Sequence, residues 1–170
     1  TEDAAAVSSG SAALEAALRV LGVGPGDEVV IPTYVCDAVH HAVTRAGAVP
    51  VLADASAETL SVDADEVKRR LSPRTRCAIV PHAFGLAAGL ARFADLGVPV
   101  IEDCAQALGA VDEGRPTGAR GHLAILSFYA TKMLTTGEGG MVTGPAALIR
   151  RVRDLRDYDE REDLAPRFNY

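Results

Sequence analysis

Four short apolar runs, Glu28-Val-Val-Ile31, Val49-Pro-Val-Leu52, Cys77-Ala-Ile-Val80 and Val98-Pro-Val-Ile101, recur along the N-terminal part of the chain with longer helical patterns between them. Each is continuous rather than alternating, as expected of parallel strands covered on both faces. Parallel neighbours need a crossover, so helices must lie between the runs. The fold class that follows is α/β, a mostly parallel sheet flanked by helices.

The helical candidates are Ala12 to Leu21, with Ser11 as N-cap and Gly22 as stop, then Val35 to Ala46. Ala64 to Leu71 follows behind an Asp63-x-x-Glu66 capping box, and then Ala87 to Leu96. Leu123 to Tyr129 and Gly140 to Thr143 read as two further strands. The loop between them carries Lys132 and Gly137-Glu-Gly-Gly140. Pro145 to Arg156 is helical in pattern, with Pro145 suited to the first turn. Asp157 to Asp163 is a mixed-charge stretch read as solvated.

With 170 residues the chain matches one domain, 1–170, long enough to bury about 70% of the surface its unfolded form exposes. A net charge of −6 leaves no electrostatic footprint for nucleic acid or an anionic membrane. No stretch approaches the ~20 apolar residues of a membrane span. Cys36, Cys77 and Cys104 are odd in number and lack any C-x-x-C pair, which argues against a disulfide framework or structural zinc and for a reduced, cytoplasmic setting. His40, His41, His82 and His122 show no metal spacing, so no metal is expected. His82 follows a strand on the ligand edge, with a hydrogen-bonded structural role as its simpler reading.

Three features carry chemistry. Lys132 is one of two lysines, the other being Lys68, and it follows a strand in Ser127-Phe-Tyr-Ala-Thr-Lys132. Such an amine is either a solvated side chain or, if desolvated, a nucleophile able to form a Schiff base. Asp103 ends a strand at the edge where open α/β sheets keep their ligands. It reads equally as a helix N-cap. Ser8-Ser-Gly-Ser11 opens a helix, where free N–H groups and the dipole favour an anion, although an ordinary serine cap explains it too. Amine, carboxylate and anion-binding turn together suggest pyridoxal phosphate.

The segments Ser9-Gly-Ser-Ala-Ala-Leu14, Gly24-Pro-Gly-Asp-Glu-Val29 with Pro32, Glu102-Asp-Cys-Ala-Gln-Ala107, Ser127 to Lys132 and Gly137 to Gly140, in that order, resemble a sugar aminotransferase of the DegT/StrS type, within the aspartate aminotransferase fold. The resemblance covers nearly the whole chain. It implies that Lys132 holds pyridoxal phosphate as an imine, that Asp103 faces the pyridine nitrogen, and that Gln106 sits beside the ring. It also implies that Ser127 and the amides of Gly10, Ser11 and Ala12 hold the phosphate. Where the family often sets an aromatic residue on the ring, this chain aligns Cys36 within Thr33-Tyr-Val-Cys36, with Tyr34 as the alternative contact. Related sugar dehydratases carry a histidine at the lysine position, so Lys132 favours transamination.

The resemblance thus implies a transferase of deoxyaminosugar biosynthesis that moves an amino group, from a donor such as glutamate, to a nucleotide-linked keto sugar. It further implies a homodimer with a shared active site. Family members are more than twice as long, so residues 1–170 would be part of the cofactor-binding large domain, lacking a preceding helical segment and a small C-terminal domain. The chain starts at Thr1 and stops within Arg167-Phe-Asn-Tyr170, near a family Asn-Tyr motif. Two rival readings are a non-catalytic pyridoxal-binding sensory module and a plain nucleotide-binding α/β domain.

Overall fold

The computed structural model describes residues 2–56 and 60–156. The mixed-charge stretch Asp157 to Asp163 and the Asn169-Tyr170 motif lie outside the described residues. Seven strands form one mixed sheet: β1 (Asp3–Val7), β2 (Glu28–Pro32), β3 (Val49–Ala53), β4 (Thr75–Pro81), β5 (Val100–Asp103), β8 (Leu123–Ser127) and β9 (Gly140–Gly144). Between β5 and β8, Val111–Asp112 (β6) and Arg115–Pro116 (β7) form a small antiparallel ribbon. The helices are α1 (Gly10–Val20), α2 (Asp37–Arg45), α3 (Ala64–Arg70) and α4 (Ala146–Arg156).

The sheet order is β1-β9-β8-β5-β4-β2-β3. The pairs β2/β3, β2/β4, β4/β5 and β5/β8 are parallel, while β9 runs antiparallel to both β8 and β1. Pleating sends successive residues to opposite faces. Val29, Ile31, Ile79, Ile101, Leu123 and Ile125 therefore join one core with α1, α2 and α4. Val30, Ala78, Val80 and Val100 join a second with α3 and the segment around Phe93. Covering both faces closes the sheet to ligands except at its edges.

Most expected elements stand where the pattern puts them, and the differences have local causes. α1 starts at Gly10, not Ala12, because Ser9 rather than Ser11 is the N-cap: its backbone is extended and its Oγ accepts the Ala12 N–H at 3.1 Å. Asp63 caps α3 as expected, accepting from the Asp65 and Glu66 N–H groups. Glu66 does not complete a capping box, since its carboxylate turns to Arg69 and Arg70. Pro145 stands just before α4, its carbonyl accepting from the Leu148 and Ile149 N–H groups.

Two expectations are corrected, and one strand is added. Ala87 to Leu96 is no α-helix: only Leu90–Phe93 turns, as a 3-10 segment, between Gly89 and Gly97, both at positive φ. Its N–H groups are captured from elsewhere, Ala88 by His82 Nδ1 and Leu90 by Asp112 Oδ2. Its buried residues Leu90, Phe93 and Leu96 repeat every three positions, which suits a 3-10 turn. Second, β3 is an edge strand, with Val49 53% and Leu52 48% exposed rather than covered on both faces. The added strand is Asp3–Val7, which the sequence did not signal because of its alanines and which pairs with β9 from Asp3↔Gly144 to Val7↔Gly140. Tertiary pairing overrides weak strand propensity there.

Two glycines draw α1 onto the sheet. A Cβ on Gly140 would overlap the Ser9 carbonyl, and one on Gly10 would lie 2.8 Å from Ser127 Cβ. Only hydrogen side chains let the start of α1 touch the ends of β8 and β9. Gly140→Ala should lower the unfolding free energy by roughly 1–3 kcal/mol, the usual cost of forcing volume into a packed position. Urea titration measures this; an unshifted midpoint would mean that Ser9 moves aside freely.

Candidate active site

Strands β2, β4, β5 and β8 run in one direction and β1 shares it, both β1 and β8 being antiparallel to β9. Their carboxyl ends therefore meet at one edge of the sheet. There the turns that follow them line a cavity of about 630 Å³: Ser9 to Ser11 after β1, Tyr34 to Cys36 after β2, His82 to Phe84 after β4, Asp103 and Gln106 at β5, and Ser127, Tyr129 and Lys132 at β8. Glu138, from the loop closing back to β9, adds to the wall.

Asp103 is buried at the end of β5, opposite Pro81 and Ile125. Its Oδ1 accepts the Ala105 N–H at 2.9 Å, so it does cap the turn behind it as well as facing the cavity. Burial pushes its carboxyl above the usual carboxylate range, while the Ala105 bond and the positive charge of Lys132 act the other way. A buried carboxylate in this state is stabilised by any cation placed beside it.

Lys132 is half-buried in the loop after β8, with its own N–H donating to the Tyr129 carbonyl at 2.9 Å. The loop's neck is closed by Phe128 N–H to Gly139 O at 2.9 Å and Thr136 N–H to Phe128 O at 3.1 Å. The amine is thus carried on a tied loop on the same cavity wall as Asp103.

At the start of α1 the Gly10 and Ser11 N–H groups have no hydrogen-bond partner among the described residues, and both residues line the cavity with Ser127 beside them. Two orphan donors at the positive end of an 11-residue helix make an anion site. Ala12 differs from the expectation. Its N–H is taken by Ser9 Oγ, and it faces a separate small cavity with Arg19 and Arg156.

Cys36 is exposed on the cavity wall as the N-cap of α2, without a side-chain cap bond. Tyr34 lies on the same wall, its ring 6.2 Å from that of Phe84. Phe84, Tyr129 and Glu138 escaped the sequence reading. For Phe84 the signal is conformational: a non-glycine residue at φ 54°, a conformation that costs about 1–2 kcal/mol. It is held there in part by donating its N–H to Gln106 Oε1 at 3.1 Å.

His82, Glu102 and Cys104 also escaped as a group; their ligand atoms lie within 4.8 Å of one another, all buried. Both Glu102 oxygens are already engaged: Oε2 by His82 Nε2 at 3.0 Å and Gly118 N–H at 2.7 Å, Oε1 by the Arg120 N–H at 2.7 Å and by the Gly121 N–H. Burial works to raise the Glu102 carboxyl, but these donors, His82 first, bring it below its ordinary range. The cluster is a closed hydrogen-bond network.

An α/β sheet with an amine, a buried acid and a helix N-terminus at its carboxyl edge defines a cofactor-using enzyme class, and comparison makes this specific. Residues 1–164 match the DegT/DnrJ/EryC1/StrS aminotransferase family, and the chain belongs to it. It is 40% identical over 168 residues to the dTDP-3-amino-3,4,6-trideoxy-alpha-D-glucose transaminase of Streptomyces venezuelae, covering 95% of this chain and 44% of that protein. The crystal structure of S. venezuelae DesV in complex with a ketimine intermediate aligns with TM-score 0.89 at 39% identity, over 95% of this chain and 46% of that one. The PLP-form of the putative sugar aminotransferase Spr1654 from Streptococcus pneumoniae aligns with TM-score 0.84 at 30% identity, over 89% and 45%. The chain thus spans less than half the length of these relatives.

The raised Asp103 carboxyl makes a signed prediction. A folded pKa above the unfolded one means that ionisation is penalised on folding, so at neutral pH the charged Asp103 costs stability, and the cost disappears as pH falls through the folded pKa. Asp103→Asn, which keeps Oδ1 for Ala105, should therefore raise the melting temperature of the protein at pH 7, which calorimetry checks. Glu102 has the opposite sign: its contribution is present above the ordinary glutamate range and is lost as pH falls below it.

Proposed function

We propose that this chain forms the pyridoxal-phosphate-binding domain of an aminotransferase that moves an amino group, from glutamate or a similar donor, to a nucleotide-linked keto sugar. The observation that carries this reading is that Lys132, Asp103 and the free N–H groups of α1 line one cavity, although they are widely separated in sequence. Family membership and the relatives' chemistry point the same way.

The donor set fits the cofactor. The raised Asp103 suits a protonated pyridine nitrogen, and the unpartnered Gly10 and Ser11 N–H groups at the start of α1, beside Ser127, suit a phosphate. When bound, pyridoxal phosphate supplies an aldehyde for amines and a ring that accepts electrons. Lys132 would hold the aldehyde end of the group and, as a free amine, would serve as general base and acid for proton movement at the substrate carbon. Asp103 would hold a negative charge for the ring nitrogen, the Gly10 and Ser11 N–H groups with Ser127 Oγ would hold the phosphate, and Gln106 would stand beside the ring. Cys36 or Tyr34 contributes the face contact, a sulfur offering less area than an aromatic ring.

The rival readings are not favoured. Gly22-x-Gly24-x-Gly26, the glycines a nucleotide-binding domain would use, form the turn before β2 at the other edge of the sheet, with Gly22 and Gly26 at positive φ. A homodimer with a shared site is part of the proposal; exposed Tyr34, Phe84, Met133 and Leu134 on and beside the cavity wall support it. Three free cysteines suit a cytoplasmic setting, and no helix of the described residues is long and apolar enough to cross a membrane.

Protein incubated with pyridoxal phosphate should absorb visible light, and borohydride should bleach the band and leave the label on the peptide containing Lys132. Lys132→Ala should abolish the band and slow amino transfer by at least roughly a hundredfold. A colourless protein, or a label on Lys68, would remove the basis of this assignment. A coloured protein that transfers no amino group to any nucleotide-linked keto sugar would return the case to the sensory module.

A further inference from the structure

The loop from His82 to Gly89 carries Phe84 to the cavity, and its geometry is set by His82, which also lines that cavity, and by Glu102 behind it, neither of which is given a cofactor contact above. His82 is fully buried. Its backbone N–H donates to the Asp103 carbonyl at 3.0 Å. The Ala88 N–H, which can only donate, reaches Nδ1 at 3.0 Å. Nδ1 is therefore the bare nitrogen, and Nε2 carries the proton that it gives to Glu102 Oε2 at 3.0 Å. Glu102 in turn is held by the N–H groups of Gly118, Arg120 and Gly121. One imidazole thus folds residue 88 back onto residue 82 and ties the loop to β5.

The front of the loop has one polar output. Held at positive φ, Phe84 points its N–H at Gln106 Oε1, 3.1 Å away. A backbone N–H accepts nothing, so this contact decides which end of the Gln106 carboxamide is oxygen. Gln106 Nε2 makes no hydrogen bond among the described residues, and Gln106 lines the cavity. With Oε1 turned to Phe84, the Nε2 hydrogens are what Gln106 has left to donate there.

We infer that Glu102 and His82 are positioning residues for the reaction proposed above: through the 82–88 loop and the Phe84 N–H they commit Gln106 to act as a donor toward an acceptor oxygen on the cofactor ring. The inference rests on that functional reading for its acceptor, but not for the hydrogen-bond chain itself. Neither His82 nor Glu102 needs to touch the cofactor. A donor near the ring oxygen shifts the electron distribution that the absorption band reports, so the effect of the buried pair is readable at the chromophore.

The test is a double-mutant cycle on the pyridoxal-phosphate-loaded protein, read as the pH midpoint of the absorption band. His82→Asn should shift the midpoint by about half a pH unit or more, and Glu102→Gln should shift it in the same direction. In a Gln106→Ala background both shifts should vanish. A purely structural role would lower thermal stability without this dependence on Gln106. Equal shifts in both backgrounds, or none in either, would overturn the inference. Nitrogen-15 spectra of the unsubstituted, cofactor-free protein supply an arm independent of variant folding: His82 should show Nδ1 bare and Nε2 protonated, and the reverse tautomer would overturn the chain. Failure of the wild-type protein to take up cofactor would instead count against the proposed function, because the tautomer is read without it.

Discussion

A carboxylate withdrawn from water at the end of a buried parallel strand is the constraint around which this site is arranged. β5 is short and buried along its whole length, and it ends in two adjacent acids that pleating sends to opposite faces. The two burials are resolved in opposite ways. Glu102 is surrounded by a histidine and three backbone N–H groups and is stable as an anion. Asp103 receives one backbone N–H and is left facing a cavity with its ionisation penalised. The first arrangement stabilises the protein; the second holds charge in reserve for a ligand.

That reserve is useful only if a ligand is held in register with it, and the sheet supplies the register. Because six strands share one direction, the turns that follow five of them converge on the edge where Asp103 lies. Gly10 and Gly140 bring the positive end of α1 down to Ser127, so an anion and a cationic ring nitrogen can be bound at fixed separation. Lys132 enters on a loop closed by its own hydrogen bonds. Behind the site, the Glu102 network braces the loops from β4 and from the β6/β7 ribbon, which links packing on one face of the sheet to the chemistry at its edge.

Local sequence signals were reliable where they rest on local physics. β2, β4 and β8 follow from continuous apolar runs, and α3 from its Asp63 cap. Elsewhere they were silent or misleading. β1 is alanine-rich, carried no strand signal and is held by pairing with β9, and Ala87 to Leu96 is broken as a helix at Gly89, which takes positive φ. The site shows the same division. Lys132, Asp103, Gly10, Ser11, Gln106, Ser127 and Cys36 all line the cavity they were expected to share, whereas Ala12 turns away once Ser9 takes its N–H. Phe84 and the His82–Glu102 pair were invisible because their meaning lies in a backbone angle and in contacts across strands.

The order of residues was therefore enough to bring out the family likeness and the three groups that carry it, a rare amine, a strand-end acid and a serine-glycine turn, since the chemical character of a side chain does not depend on the fold. Only the tertiary structure decided how those groups are tuned. Burial of Asp103, the direction in which the Gln106 carboxamide points and the tautomer of His82 depend on which atoms stand next to them. Desolvation and hydrogen bonding act over a few ångströms, and neighbours at that range are brought together by strand pairing rather than by proximity along the chain.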